Sequence, residues 1–196
     1  TNIHQLLRVI QILGREMSLE HAKLLFTPGM LSKMTNLDDL LSVIHALGGR
    51  QIKPEYAELL FNSGMRSEIR DSYQLCSVIQ ALGGPEMSVD NAKLLLTPDI
   101  LSKITNFDQL LSVIQVLGGP EMSVDNAKLL LPDMLSKITA GSQLSCVIEA
   151  FGSAEIKPEH AALLLTSEMF SKMTHGDYLA PVIRTLGGPK MSLEHL

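Results

Sequence analysis

The chain has 196 residues, 45% of them apolar, with 21 acidic against 16 basic side chains and a net charge of −5. That is a globular composition rather than a disordered one, and its mild acidity argues against a dedicated polyanion binder. No Trp, three Tyr and five Phe make any core aliphatic, while two cysteines exclude a disulfide scaffold and fit a reducing, cytoplasm-like compartment.

No apolar run approaches the roughly 18 residues of a membrane span, and no charged-then-apolar leader opens the chain. Thr1 at one end and Leu196 in mid-pattern at the other read as the edges of a fragment. In chain order a Val-Ile pair recurs as Val9-Ile10, Val43-Ile44, Val78-Ile79, Val113-Ile114, Val147-Ile148 and Val182-Ile183, at spacings of 34, 35, 35, 34 and 35. The expected repeats are 1–34, 35–69, 70–104, 105–138 and 139–173, with a partial sixth over 174–196. The two shorter units lose a residue at a junction: Gly14-Arg15 replaces a Gly pair, and Leu131-Pro132 replaces Leu96-Thr97-Pro98.

Each unit reads as helix, turn, helix. In repeat 105–138, Thr105 or Asn106 caps the first helix and Asp108 sits in its first turn. Leu110, Val113, Ile114 and Leu117 follow at helical spacing and define one apolar face. Gly118-Gly119 stops that helix, with the first Gly left-handed. Ser123 caps the second helix; Pro54 and Pro158 at the equivalent of Val124 support this frame, because proline is tolerated at the first helical position. Ala127, Leu130 and Leu131 carry the apolar face to Pro132, where the helix kinks or a short third helix restarts on a Thr cap. Period-2 alternation is absent, so no strand is expected. One hairpin cannot bury both of its faces, and stacked hairpins can. The expected fold is therefore all-α: an α-solenoid, or superhelix, of tandem hairpins with a Pro kink in the second helix.

Candidate chemistry is sparse. His21, His160 and His195 share one repeat position with Tyr56, Asn91 and Asn126, and read as solvated or capping residues beside the N-cap. His4 and His175 read as loop or first-turn residues. Cys76 and Cys146 lie two repeats apart, too far for a disulfide, and read as near-core thiols. Met17, Met87, Met122 and Met191 precede the second-helix caps and read as core filling. No nucleophile elbow, phosphate loop, zinc motif or aromatic stack for single strands occurs. The expectation is no enzyme, no cofactor, no metal and no small-molecule substrate. The position after each Val-Ile pair is polar and differs in charge: Gln11, His45, Gln80, Gln115, Glu149 and Arg184. A variable stripe on a constant frame is a candidate partner-binding surface.

Asp108-Gln109-Leu110-Leu111-Ser112-Val113-Ile114, the Gly118-Gly119 pair and Leu129-Leu130-Leu131-Pro132 resemble the repeats of transcription-activator-like (TAL) effectors, in layout and in unit length. That resemblance covers the whole chain and implies a right-handed DNA-reading solenoid from a secreted bacterial effector. It implies that the two residues before each Gly pair form the base-reading loop, the second facing the base. Those pairs are Ile12-Leu13, Ala46-Leu47, Ala81-Leu82, Val116-Leu117, Ala150-Phe151 and Thr185-Leu186. Leu13, Leu47, Leu82, Leu117, Phe151 and Leu186 at the reading position bring no donor or acceptor, and a constant Leu encodes nothing. They read instead as the end of the first helix's core stripe. The family's Lys-Gln after the glycines becomes Pro85-Glu86, Pro120-Glu121 and Pro189-Lys190, with Arg50-Gln51 in the second repeat. Proline removes a phosphate-facing N–H and Glu repels phosphate. Two functions stay open: a repeat scaffold that binds a protein, favoured by the acidity and the Pro-Glu loops, and a TAL-like binder of duplex DNA with a divergent code.

Overall fold

The computed structural model describes residues 3–13, 17–34, 36–62, 65–172 and 176–186. Gly14-Arg15, His175, Pro189-Lys190, Met191, His195 and the second half of the partial repeat lie outside the described residues. Among the described residues the protein is helical and has no strand. The contacts divide the chain into two compact units, Thr1–Lys103 and Ile104–Leu196, where the sequence reads one continuous run. The division falls within a residue of the boundary between repeats three and four.

In the first unit the helices are α1 (Ile3–Leu13), α2 (Leu19–Leu25), α3 (Pro28–Leu31), α4 (Leu37–Ala46), α5 (Pro54–Asn62), α6 (Ser72–Ala81), α7 (Val89–Leu95) and α8 (Pro98–Leu101). The second holds α9 (Phe107–Val116), α10 (Val124–Met134), α11 (Gly141–Ala150), α12 (Pro158–Leu164), α13 (Ser167–Lys172) and α14 (Gly176–Thr185). First helices pack on first helices: α1 on α4 and α4 on α6 in one unit, α9 on α11 and α11 on α14 in the other. Second helices do likewise, α2 on α5, α5 on α7 and α10 on α12. The side chains between them are fully buried aliphatics such as Leu40, Ile44, Leu75 and Ile79, and Leu110, Ile114, Leu144 and Ile148. Each contributes about 1.5–3 kcal/mol of burial.

The helix starts follow the local chemistry. Asn36, Asp71 and Asn106 accept from the backbone N–H three residues on, at 2.9, 2.9 and 3.0 Å. Asn106, not Thr105, is thus the cap of α9. Gln109 completes the start by accepting from the Thr105 N–H at 2.7 Å, and Gln143 repeats this with Thr139 at 2.8 Å. Ser18, Ser88 and Ser123 cap the second helices. Pro158 occupies the first turn of α12, as its sequence position requires.

The Gly pairs do more than end a helix. Gly48, Gly83 and Gly118 have φ of 112, 115 and 104°, and the second glycines, Gly49, Gly84 and Gly119, have 54, 54 and 48°. Both positions are therefore left-handed, where the sequence expects only the first. The second Gly opens a one-turn 3-10 helix, Gly49–Gln51, Gly84–Glu86 or Gly119–Glu121. Gly49 and Gly119 also lie against the end of the next repeat's first helix, and a Cβ on Gly119 would clash with the Ala150 carbonyl oxygen. Ser153 takes this position in repeat five and is held at φ 57°, a conformation that costs an L-residue about 1 kcal/mol or more.

The proline does not act alike in every repeat. Pro132 lies inside the continuous helix α10. At Thr27-Pro28 and Thr97-Pro98 the second helix stops and a short third helix begins. Thr27 and Thr97 are extended, with ψ of 153 and 157°, as the residue before proline prefers. Thr27 also accepts from Met30 N–H at 3.3 Å. Repeat four lacks the Thr, and with no residue to take the extended conformation the helix runs through its proline.

Candidate functional site

On each first helix the residue after the Val-Ile pair is polar and exposed. Val43 and Ile44 are fully buried and the next residue rotates by about 100° out of the core. Gln11, His45 and Gln80 are exposed in the first unit; Gln115, Glu149 and Arg184 are exposed in the second. The His45 ring donates from Nδ1 to the Leu41 carbonyl at 2.7 Å, which leaves Nε2 available to a partner. Within each unit these side chains stand on first helices that pack side by side. They bring different charges and hydrogen-bonding groups to a frame of near-constant sequence.

The loop positions before the glycines behave differently. Leu82, Leu117, Phe151 and Leu186 are buried, and Leu13 and Leu47 half-buried. Their side chains close the interior at the end of each first helix. The loops expose Arg50, Gln51, Pro85, Glu86, Pro120 and Glu121. Arg50 and Glu86, from successive loops, pair at 2.9 Å. Proline and carboxylate thus occupy most of this surface, and its arginine already faces a glutamate.

The lysines of the second helices are similarly engaged. Lys23, Lys93 and Lys128 pair with Glu20, Asp90 and Asp125 at 3.2, 3.7 and 3.4 Å, three residues back on the same helix. Such exposed pairs add little stability, but they offset the cations locally. Lys103 is drawn inward, donating to the carbonyls of Ile69 and Arg66 in the preceding repeat. It acts there as a C-terminal cap on the 3-10 segment Met65–Glu68.

The position shared by His21, Tyr56, Asn91, Asn126 and His160 is not the solvated cap that its place beside the N-cap suggests. His21 alone is exposed, in a capping box with Ser18; Tyr56, Asn91, Asn126 and His160 are buried. Tyr56 donates its hydroxyl to the Met17 carbonyl, and Asn91 donates Nδ2 to the Ile52 carbonyl at 3.3 Å. Each reaches back 39 residues and ties one repeat to the main chain of the one before. A periodicity signal was available: Tyr56, Ala57 and Leu60 make a buried i, i+1, i+4 set that includes the polar residue. The polarity itself argued for solvent.

His160 has this place without a well-formed bond of that kind. Both ring nitrogens are buried and neither makes a hydrogen bond of good geometry; the main chain of Ser123 is the polar group that acts on them. The ring packs at 4.8 Å on Phe151, tilted by 48°. Burial holds its pKa below the ordinary histidine value and Lys157 adds to the effect; Glu159 and the Ser123 main chain act against it. Among the described residues no cluster of three or more His, Cys, Asp and Glu side chains is placed to hold a metal ion. Cys76 and Cys146 are free and half-buried, and burial pushes the Cys76 thiol up, away from the reactive thiolate. Met17, Met87 and Met122 are core residues.

Among the described residues no helix is long and apolar enough to cross a membrane. No family model, curated protein or solved structure matches the chain.

Proposed function

We propose that this chain is a non-enzymatic α-solenoid scaffold that binds a protein partner along its first-helix stripe. The carrying observation is the contrast within one turn of helix: Val43-Ile44 and Val147-Ile148 are fully buried, while His45 and Glu149 beside them are exposed. A stack of such hairpins offers one adjustable side chain per repeat at little cost to the core, which is how solenoids encode partners. Gln11, His45, Gln80, Gln115, Glu149 and Arg184 are the residues assigned to the contact. No membrane or small-molecule ligand enters this reading. The TAL-like resemblance would make the scaffold part of a secreted bacterial effector.

Duplex DNA is the alternative partner. The burial of Leu82, Leu117 and Phe151 speaks against it, since a base-reading side chain must leave the core. So does the pairing of Arg50, Lys93 and Lys128 with carboxylates. Titration into labelled random duplexes at about 50 and 150 mM salt separates the two, because phosphate-driven binding falls steeply over that range. The expected result is no sequence-selective binding at the higher salt; selective binding there would overturn the protein-scaffold reading. In parallel, proteins retained by the intact chain should be lost on the triple change Gln80→Ala, Gln115→Ala and Glu149→Ala. Retention unaffected by that change would remove the stripe from the contact.

A further inference from the structure

Repeat five lacks three supports found in earlier repeats. Asn36, Asp71 and Asn106 cap α4, α6 and α9 through their side chains, whereas Ala140 at the start of α11 makes no such bond. The second left-handed position of the turn is glycine in Gly49, Gly84 and Gly119 but serine in Ser153, held at φ 57°. L-residues resist that conformation. On the second helix, Tyr56 and Asn91 donate to main-chain carbonyls of the preceding repeat. His160 takes their place against Phe151 without a well-formed bond. In a stack of hairpins each repeat is held by its own helices and its neighbours, so these losses add at one place in the chain.

His160 also brings an imidazole to a position that other repeats fill with tyrosine or asparagine, side chains that take up no proton at mild acidity. A proton there would find no buried carboxylate. Asp125, Lys128 and Asp133 on the packed helix α10 and Glu149 on α11 are exposed, as are Glu155, Lys157 and Glu159 near the ring in sequence. The other buried polar residues described in this unit, Asn126 and Ser145, carry no charge. Burial disfavours the imidazolium and Lys157 adds to that, against Glu159 and the Ser123 main chain. We propose that repeat five is a joint that opens on acidification, when proton uptake by His160 releases α11 and α12 from their packing on α9 and α10. Opening parts Gln115 on α9 from Glu149 on α11, and α14, which packs on α11, moves with it. The proposal does not depend on what the first-helix stripe binds.

Hydrogen exchange of the intact chain at about pH 7.5 and about pH 5.5, read by peptide mass spectrometry as protection factors, tests this. A ring that titrates near about 6.5 when open and stays neutral when closed makes opening about tenfold more frequent across that interval. At the higher pH, segments 141–150 and 158–164 should be less protected than 107–116 and 124–134. At the lower pH the first two should lose about a further tenfold. His160→Asn should abolish that acid loss. Ala140→Asn and Ser153→Gly should each raise protection of α11 and α12 about two- to fivefold at both pH values and leave the acid loss in place. Equal protection of all these segments at the higher pH would overturn the proposal. So would an acid loss shared evenly among them in the unaltered chain, or one that persists in His160→Asn.

Discussion

Replacing Gly119 by Ala tests the closest contact between repeats. Its φ of 48° lies in the left-handed region, which costs an alanine about 1 kcal/mol. The larger effect is steric. The new Cβ would clash with the Ala150 carbonyl oxygen, whose carbon would lie 3.5 Å away. That oxygen belongs to the main chain at the end of α11, so no side-chain rotation relieves the clash. α9 and α11 must move apart, at the cost of an overpacked interior, about 1–3 kcal/mol. The sum is a loss of about 2–4 kcal/mol. At about 2–4 °C per kcal/mol for a chain of this size, the midpoint should fall by roughly 4–16 °C. Gly49→Ala is the internal control. Its φ of 54° is nearly the same, but the nearest atom to its Cβ is the Ala81 oxygen at 3.4 Å. It should therefore lose only about the 1 kcal/mol of backbone strain. Thermal and urea melts of both variants, followed by circular dichroism, provide the comparison. Equal losses would refute the close-approach argument and leave backbone strain as the whole effect.

At Ser153, the non-glycine residue held at φ 57°, Ser153→Gly should stabilise by about 0.5–1 kcal/mol, measured as a higher urea midpoint; a lower midpoint would show that the serine side chain makes a contact worth more than the strain. For His160, the folded state favours the neutral ring and the unfolded state titrates near 6.5. Above that pH both states hold a neutral ring, and its stabilising effect is complete; as pH falls below it, the unfolded chain takes up the proton first and stability drops. His160→Asn should flatten melting temperature against pH between about 7.5 and 5.5, and an unchanged slope would assign the pH dependence to other groups. Ile114→Ala, in the core, should cost about 2–5 kcal/mol, against about ±0.5 for Gln115→Ala on the stripe. Similar losses at the two neighbours in a denaturant titration would reverse the inward and outward assignment.

Much of the local structure was legible because its causes are local. The helical spacing of Leu110, Val113 and Ile114, the caps at Asn106 and Ser123, and the turn at Gly118-Gly119 each depend on residues within a few positions. Recurrence of the same set every 34 or 35 residues made the exposed stripe legible too, since a position next to two core residues must rotate outward. What tertiary structure decided depends on the neighbouring repeat. Tyr56 and Asn91 look like surface polar residues until a main-chain carbonyl 39 residues earlier arrives to accept from them. The second glycines Gly49 and Gly119 read as redundant until the next first helix closes on them. Pro132 and Pro98 have similar sequence surroundings, yet one lies within a helix and the other starts a new one. The Thr before Pro98 supplies the extended residue that a restart needs, and repeat four has none. His21 and His160 show the division most directly: they hold the same place in the repeat, one exposed and one buried. Only a packed neighbour distinguishes them, because burial is a property of two repeats in contact rather than of either sequence alone.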